Sequence, residues 1–531
     1  MLSTNAVETL QTENKRLRAE IKELQLRASE ADNLQLQNDA LSEELAWFRR
    51  YFLHRRSDVI EHRSQQPLPF NEAELLSEEA QEAPETRQQI GSYTRGKPAR
   101  KPLPENLPRT QQVIDIPEDQ KRCACGSELS RIGEEKSEKL DIEPPRLRVI
   151  EQIRPKYACR ACEGSGDEDS PAVRIAPAPP TLIPAGIATP GLVAFVVISK
   201  FEDALPLYRQ EKQFARLGIE LSRRTMADWM IAAAAACQPV LEALQRRLRS
   251  GPAILIDETT VQVMREPGRS NTTDSYVWAA VGGEPEHPVM IYRYEPTRSG
   301  NVVLEILEEY EGYAQTDGFG GYDWSIATLE KVTHVGCMAH VRRKFTDALN
   351  IGKNSPGARE AVTVIGKIYG VERELAGWPR NEAFRHEREQ RVRPLLDELK
   401  AWLEKKSPRV PPTTALGKAV TYALRQWPKV ERYLECEHLT PDTNRVENLI
   451  RPFVVGRKNW LFSGSPRGAN ASMTLYSLIE TAKANKVEPY WYLRALFDRL
   501  PTFDHLPTFD HAADYDELLP WNIFRANSAG P

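Results

Sequence analysis

The sequence predicts a multidomain chain built around an α/β catalytic core with an all-helical insertion, and three observations support this. First, two short apolar runs lead into carboxylates: Ala253-Ile254-Leu255-Ile256 before Asp257, and Gly312-Tyr313-Ala314-Gln315-Thr316 before Asp317. Second, two strand-like stretches and a helix separate those acids. Third, the chain ahead of them changes character repeatedly, from heptads to a polar linker, paired cysteines and short helices. A length of 531 residues also exceeds what one hydrophobic core sustains, so three or more folded units are expected.

Composition narrows the class. An apolar share of 40% with 27% charged residues is that of a globular protein in water. The first residues show neither a basic n-region nor an apolar h-region, and the longest apolar runs, 192–198 and 230–237, are too short to cross a bilayer. A cytoplasmic protein with no membrane partner is therefore expected. The net charge of −4 argues against nucleic-acid binding when taken whole, but charge is segregated: 71–85 is acidic, and 86–110 carries six cations against Glu105. Seven cysteines without an export signal favour metal binding over a disulfide framework.

Residues 1–60 read as a coiled coil. Leu10, Leu17 and Leu24 repeat at seven with Asn14 and Ile21 alongside; Leu34, Leu41 and Phe48 do so with Asn38, Leu45 and Phe52. The ten-residue step from Leu24 to Leu34 is a stammer, and a seam Asn in each half favours a homodimer over a helix folded back on its own chain. The Gln-, Glu-, Pro- and cation-rich segment 61–110 is a flexible basic linker, equally suited to plain solvation or to loose tethering on DNA.

In 111–170, Cys123 and Cys125 are followed by Cys159 and Cys162 after a strand-like stretch over 147–157. Two close cysteine pairs suit a tetrahedral structural Zn²⁺ site, although the first pair has a one-residue gap where two is usual. Four thiolates would leave two negative charges, which Lys121, Arg122, Lys156 and Arg160 are placed to offset.

A Pro-rich bridge leads to a helical region, 185–250. Helices are expected over 191–201 and 205–216, then a Gly218-containing turn and a long helix capped by Ser222 and running to Arg249. Helix, turn and a capped helix opening Arg223-Arg224-Thr225 resemble a DNA-binding helix-turn-helix; a three-helix packing module reads the same way.

The first part of the core, 251–350, holds strands ending at Asp257, over 275–283 and 288–294, a helix from Ser299 to Glu309, and a strand ending at Asp317. Three strands, a helix and a fourth strand, with acids closing the first and fourth sixty residues apart, follow the order of a ribonuclease-H-like fold. Helical periodicity over 357–375, 382–404 and 416–434 predicts a helical insertion, 351–440, fit either to hold DNA or to act as a buttress. The core resumes at 441–490 with Glu447 at a helix start, and 491–531 forms a C-terminal element containing Leu-Pro-Thr-Phe-Asp-His twice in tandem. Carboxylates suit Mg²⁺ or Mn²⁺, two of which can activate one oxygen and stabilise another across a phosphodiester. No Gly-rich phosphate loop with a lysine is present.

Several motifs resemble those of insertion-sequence-66-family transposases. They are Ile256-Asp257-Glu258-Thr259, Thr316-Asp317-Gly318-Phe319-Gly320-Gly321-Tyr322, Gly336-Cys337-Met338-Ala339-His340-Val341-Arg342-Arg343-Lys344-Phe345, Asn444-Arg445-Val446-Glu447-Asn448-Leu449-Ile450-Arg451-Pro452, Arg457-Lys458-Asn459-Trp460-Leu461-Phe462 and Leu518-Leu519-Pro520-Trp521. The resemblance covers nearly the whole chain. It implies a DDE transposase with Asp257, Asp317 and Glu447 as its metal-binding triad, cutting double-stranded DNA at element ends and joining the freed 3′-hydroxyl to target DNA, with accessory proteins of the same element as possible partners. Cys337, His340 and Asn444 are expected to support the acids. Arg223, Arg224, Thr225, Arg342, Arg343, Lys344, Arg451, Arg457 and Lys458 are expected on DNA. A non-catalytic DNA-binding regulator and a ribonuclease-H-like nuclease without strand transfer are the competing readings.

Overall fold

The computed structural model describes residues 109–111, 115, 139–140, 145–158, 173–351, 355–503 and 514–524. The heptads of 1–60, most of the linker and all four expected zinc-ligand cysteines lie outside these residues. Two units separate at Ile153; the described residues of the unit 56–152 carry no regular secondary structure. In the other unit the expected strand over 147–157 shrinks to β1, Lys156–Ala158, paired antiparallel with β2, Val173–Ile175. Both strands are exposed, so burial does nothing to lengthen the pairing.

Four helices follow: α1 (Pro190–Phe201), α2 (Leu207–Arg216), α3 (Arg223–Ala236) and α4 (Gln238–Leu248). Thr189 caps α1, with Pro190 at the first helical position. Gly218 turns the chain after α2 at φ +89°, where a side chain would be strained, and Ser222 caps α3. The single helix expected from Ser222 to Arg249 is in fact two. Pro239 has no amide hydrogen to continue the ladder, and the chain breaks at Cys237 and restarts with Pro239 in the first turn of α4. All four helices bury apolar side chains, Val196, Met226, Trp229 and Leu244 among them, in one core shared with the sheet that follows.

That sheet has five strands: β3 (Ala253–Gln262), β4 (Asp274–Gly282), β5 (Val289–Glu295), β6 (Gly312–Gln315) and β7 (Val332–Val335), in the order β5-β4-β3-β6-β7. The first three pair antiparallel, while β6 and β7 add in parallel. The helix expected from Ser299 to Glu309 is shorter, α5 (Asn301–Ile306), and α6 (Gly320–Ala327) links β6 to β7. The mixed sheet with its flanking helices is the α/β core the sequence predicted, and agrees with a ribonuclease-H-like domain.

A helical insertion follows β7: α7 (Met338–Ile351), α8 (Pro356–Glu374), α9 (Glu382–Lys406) and α10 (Ala415–Val430). It has its own apolar cluster, including Phe345, Ile365, Leu396 and Trp427. The fully buried Arg388 of α9 donates to the carbonyls of Leu439 (2.9 Å), Tyr433 (3.0 Å) and Cys436 (2.6 Å), fastening the returning chain to the insertion.

The chain then re-enters the sheet region as α11 (Asn444–Trp460) and α12 (Pro466–Ala484), and α13 (Pro489–Phe503) packs against α1. Two small polar side chains of α12 and the Asn485 that caps its end, spaced four residues apart, bond along the outer edge of β5. Ser477 Oγ accepts from Tyr292 N–H (2.8 Å), Thr481 Oγ1 accepts from Met290 N–H (3.0 Å), and the Asn485 amide donates to Pro288 C=O (2.8 Å). The helix thereby does for this edge what a sixth strand would do.

Candidate active site

Strand register places the first two acids. Leu255 pairs with Gln315 in the last rung between β3 and β6, and Asp257 and Asp317 each stand two residues beyond it. Asp257 does not end its strand as the sequence suggested: β3 runs on to Gln262, held by β4 alone. Past Leu255 it leaves its parallel neighbour, and in that gap the two carboxylates come abreast. Each is fixed by a local amide, Asp257 Oδ1 accepting from Glu258 N–H (2.9 Å) and Asp317 Oδ1 from Phe319 N–H (2.9 Å).

Side-chain alternation places the third. Asp257, Ala279 and Tyr292 are successive cross-strand partners and share one face of the sheet. On that face the Tyr292 hydroxyl donates to the carbonyl of Leu449 in α11, the helix whose first turn carries Glu447. Glu258, of opposite parity, points to the other face, where it accepts from the Tyr322 hydroxyl and pairs with Arg298. Arg298 in turn lies 3.7 Å from the centre of the Phe319 ring, in the loop after Asp317. Glu258 and Tyr322 stand in the motifs quoted above without a role of their own, and Arg298 lies outside those motifs.

The start of α11 is held from below. Met338 N–H donates to Pro441 C=O (2.8 Å), while Thr443 donates to the Cys337 sulfur through both its amide (3.4 Å) and its hydroxyl (3.2 Å). Asp442 Oδ1 accepts from the amide of Asn444, the first residue of the helix (3.1 Å). Cys337 is thus committed to bracing the segment that delivers Glu447, and burial pushes its thiol up to about 11. His340 faces the site: its Nδ1 lies 4.0 Å from Glu447 Oε1, and Arg343 lies 3.7 Å from Oε2. Burial lowers the basicity of His340, against the pull of Asp317 and Glu447. The insertion also reaches the site. The Tyr422 hydroxyl and Gln426 amide of α10 press on Gly318, where an added Cβ would stand 2.5 Å from the one and 2.9 Å from the other.

Among the described residues, no three His, Cys, Asp or Glu side chains close tightly enough to hold a metal ion as they stand. The donors nevertheless suit a hard divalent cation. Burial, and then repulsion from Glu258 and Asp317 with Glu447 adding to it, holds the Asp257 carboxyl well above its ordinary range. Glu447 Oε1 and His340 Nδ1 are buried and have no hydrogen-bond partner. Concentrated negative charge with an unused oxygen is what a cation relieves.

Comparison with known proteins settles the family. A family model described as "Transposase IS66 family" matches residues 185–471, more than half the chain. The chain belongs to the IS66 family of transposases. Two further models match this transposase, the zinc-finger binding domain of transposase IS66 over 120–163 and the IS66 C-terminal element over 477–521. It is also similar to two uncharacterized proteins of Sinorhizobium fredii (strain NBRC 101917 / NGR234). One, y4jD, is 34% identical over 81% of this chain and 82% of its own length; the other, y4qI, is 33% identical over 84% and 82%. The protein is accordingly a DDE-type transposase with a zinc-finger region, and its family implies DNA as substrate and a divalent metal. No helix among the described residues is long and apolar enough to cross a membrane.

Of the residues the sequence nominated for DNA contacts, Arg342, Arg343, Lys344, Arg451 and Lys458 are exposed on α7 and α11, the two helices that carry His340 and Glu447. Arg457 is half-buried over the Phe453 ring (5.9 Å). Arg223 and Arg224 are exposed at the start of α3, Thr225 is spent on the Ser222 cap, and Arg224 lies 4.0 Å from Asp228.

Proposed function

We propose that Asp257, Asp317 and Glu447 are the metal-binding triad of this transposase, and that it cuts DNA at the element's ends and joins each freed 3′-hydroxyl to target DNA. The observation that carries this is the shared rung Leu255–Gln315, which brings two acids abreast on the sheet face that α11 covers with the third. Bound Mg²⁺ or Mn²⁺ would activate the attacking oxygen and stabilise the departing one. The chain's own part is to hold the three carboxylates in place, through the Glu258 amide, the Phe319 amide and the Tyr292–Leu449 bond. His340 and Arg343 orient Glu447, and the cations of α7 and α11 draw phosphates toward it. The zinc finger and the α2–α3 pair supply end recognition, and the N-terminal heptads pair two copies.

The test is strand transfer with DNA carrying the element's ends and Mg²⁺. Asp257→Asn, Asp317→Asn and Glu447→Gln should each abolish both cutting and joining while DNA binding persists. Full activity in Asp257→Asn would refute the triad; DNA binding with neither cutting nor joining in the unaltered protein would leave a DNA-binding regulator as the better reading, and cutting without joining would leave a nuclease.

A further inference from the structure

We propose that Leu461 and Phe462 form a rigid apolar tip that wedges against unpaired bases of the DNA held by this transposase; this rests on the reading above that DNA lies along α11.

The backbone at the tip is strained and held. Leu461 takes φ +67° and ψ −52°, and Phe462 N–H donates to Trp460 C=O (2.9 Å) across it. This is a γ-turn of the uncommon hand, costly for any residue with a side chain. Both sides of the turn are clamped. Leu461 N–H closes the end of α11 on Arg457 C=O (2.6 Å), while Ser463 is threaded into the sheet, donating to Gln262 C=O (3.0 Å) and accepting from Met264 N–H (2.9 Å). The preceding Trp460 points inward, its ring 5.6 Å from that of Phe453. What this framework holds out is apolar: Leu461 is 65% exposed and Phe462 45%. A solvent-facing turn needs neither the strain nor two large apolar side chains.

Charge identifies the occupant. Between residues 451 and 470 there are four cations, Arg451, Arg457, Lys458 and Arg467, and no acid. Asp274, across the sheet at the base of the tip, faces Arg457, while Arg451, Lys458 and Arg467 stay exposed; an apolar pair among these cations fits a polyanion with apolar faces between its phosphates, which is DNA with its bases exposed. Distance agrees. From Glu447 to Leu461 along α11 is about 21 Å at 1.5 Å per residue. From Asp257 to Val263 along β3 is about 20 Å at 3.3 Å per residue. Helix and strand pack side by side and meet again at the Val263–Ser463 bridge, so the tip stands roughly six base pairs from the acids at 3.4 Å each.

The experiment uses the full chain with a fluorescently labelled duplex, and with the same duplex opened by mismatches at one end and carrying a fluorescent base analogue among the unpaired bases. The intact protein should bind the opened duplex more tightly and change the analogue's emission. Phe462→Ala and Leu461→Ala together should lower affinity for the opened duplex by roughly tenfold to a hundredfold, leave the intact duplex unaffected, and abolish the emission change. Phe462→Trp should retain the preference. Arg451→Ala with Lys458→Ala should instead weaken both duplexes alike and flatten the salt dependence. Equal binding of both duplexes by the tip variant and the intact protein would overturn the proposal. So would a tip variant that changes only the oligomeric state on sizing, which would make the tip a contact between copies. No binding of either duplex by the intact protein would instead defeat the reading that DNA lies on α11.

Discussion

Tyr292→Phe separates positioning from stability. The ring is 2% exposed and packs on Tyr476, and phenylalanine keeps that packing, so no cavity opens. What goes is the hydroxyl's bond to Leu449 C=O, the direct tie between the sheet bearing Asp257 and the helix bearing Glu447. Leu449 keeps its place in the helix ladder, so the expected loss of stability is about 0.5–1.5 kcal/mol, small against the 5–15 kcal/mol of an ordinary domain. Catalysis should suffer more, because a displacement of about 1 Å between reacting groups can cost on the order of 100-fold. Ser477→Ala is the control: it removes a comparable bond at the same residue's amide, on the α12 side, without touching α11. Urea unfolding should show a loss in Ser477→Ala at least as large as in Tyr292→Phe, because it strips a partner from the buried Tyr292 amide, while strand-transfer rates should fall at least tenfold more in Tyr292→Phe, by the same positional argument. Equal rates in the two variants would refute the positioning role.

Further outcomes follow from the same geometry. Asp257 titrates well above 3.8 in the folded chain, so metal-free protein holds stability at low pH that drains away as pH rises through the raised value. Asp257→Asn should therefore be the more stable form in chelator, by a margin that widens as pH climbs above 3.8; urea midpoints across pH test this, and a constant margin contradicts it. Gly318→Ala would drive a methyl into the Tyr422 ring and hydroxyl and the Gln426 amide, displacing the Asp317 loop, and should lower strand-transfer rates by tenfold or more; an unchanged rate contradicts it. Metal analysis of the full chain should give one zinc per chain, lost in Cys159→Ser with Cys162→Ser; unchanged zinc in that variant would place the metal elsewhere.

The acids and the strands that carry them were legible because apolar runs ending in carboxylates, glycines and aromatic motifs are local signals. The length of β3 was not. Its second half, Glu258-Thr259-Thr260, is polar because only β4 flanks it there, and polar residues after an apolar run read as a loop. The role of Glu258 is not legible in its motif, because it depends on parity across the sheet, with partners forty and sixty-four residues away in Arg298 and Tyr322. Tyr422 and Gln426 were hidden for a similar reason: helical periodicity reveals which face of α10 is apolar, but not that this helix returns to the Asp317 loop. The break at Cys237 was written in the sequence as Pro239, and the alanine run before it masked the signal.

The three polar side chains along α12 and at its cap have a consequence for assembly. They occupy the outer rim of β5, and at the opposite rim Arg432 donates to His334 C=O (3.4 Å) while Gly336 N–H donates to Lys429 C=O (3.0 Å). Among the described residues, both borders of the five-stranded sheet are thus partly taken up by the chain's own groups. A strand from a second molecule would have to displace these bonds to lengthen the sheet, so the helix surfaces are the faces this fold offers more readily to another macromolecule.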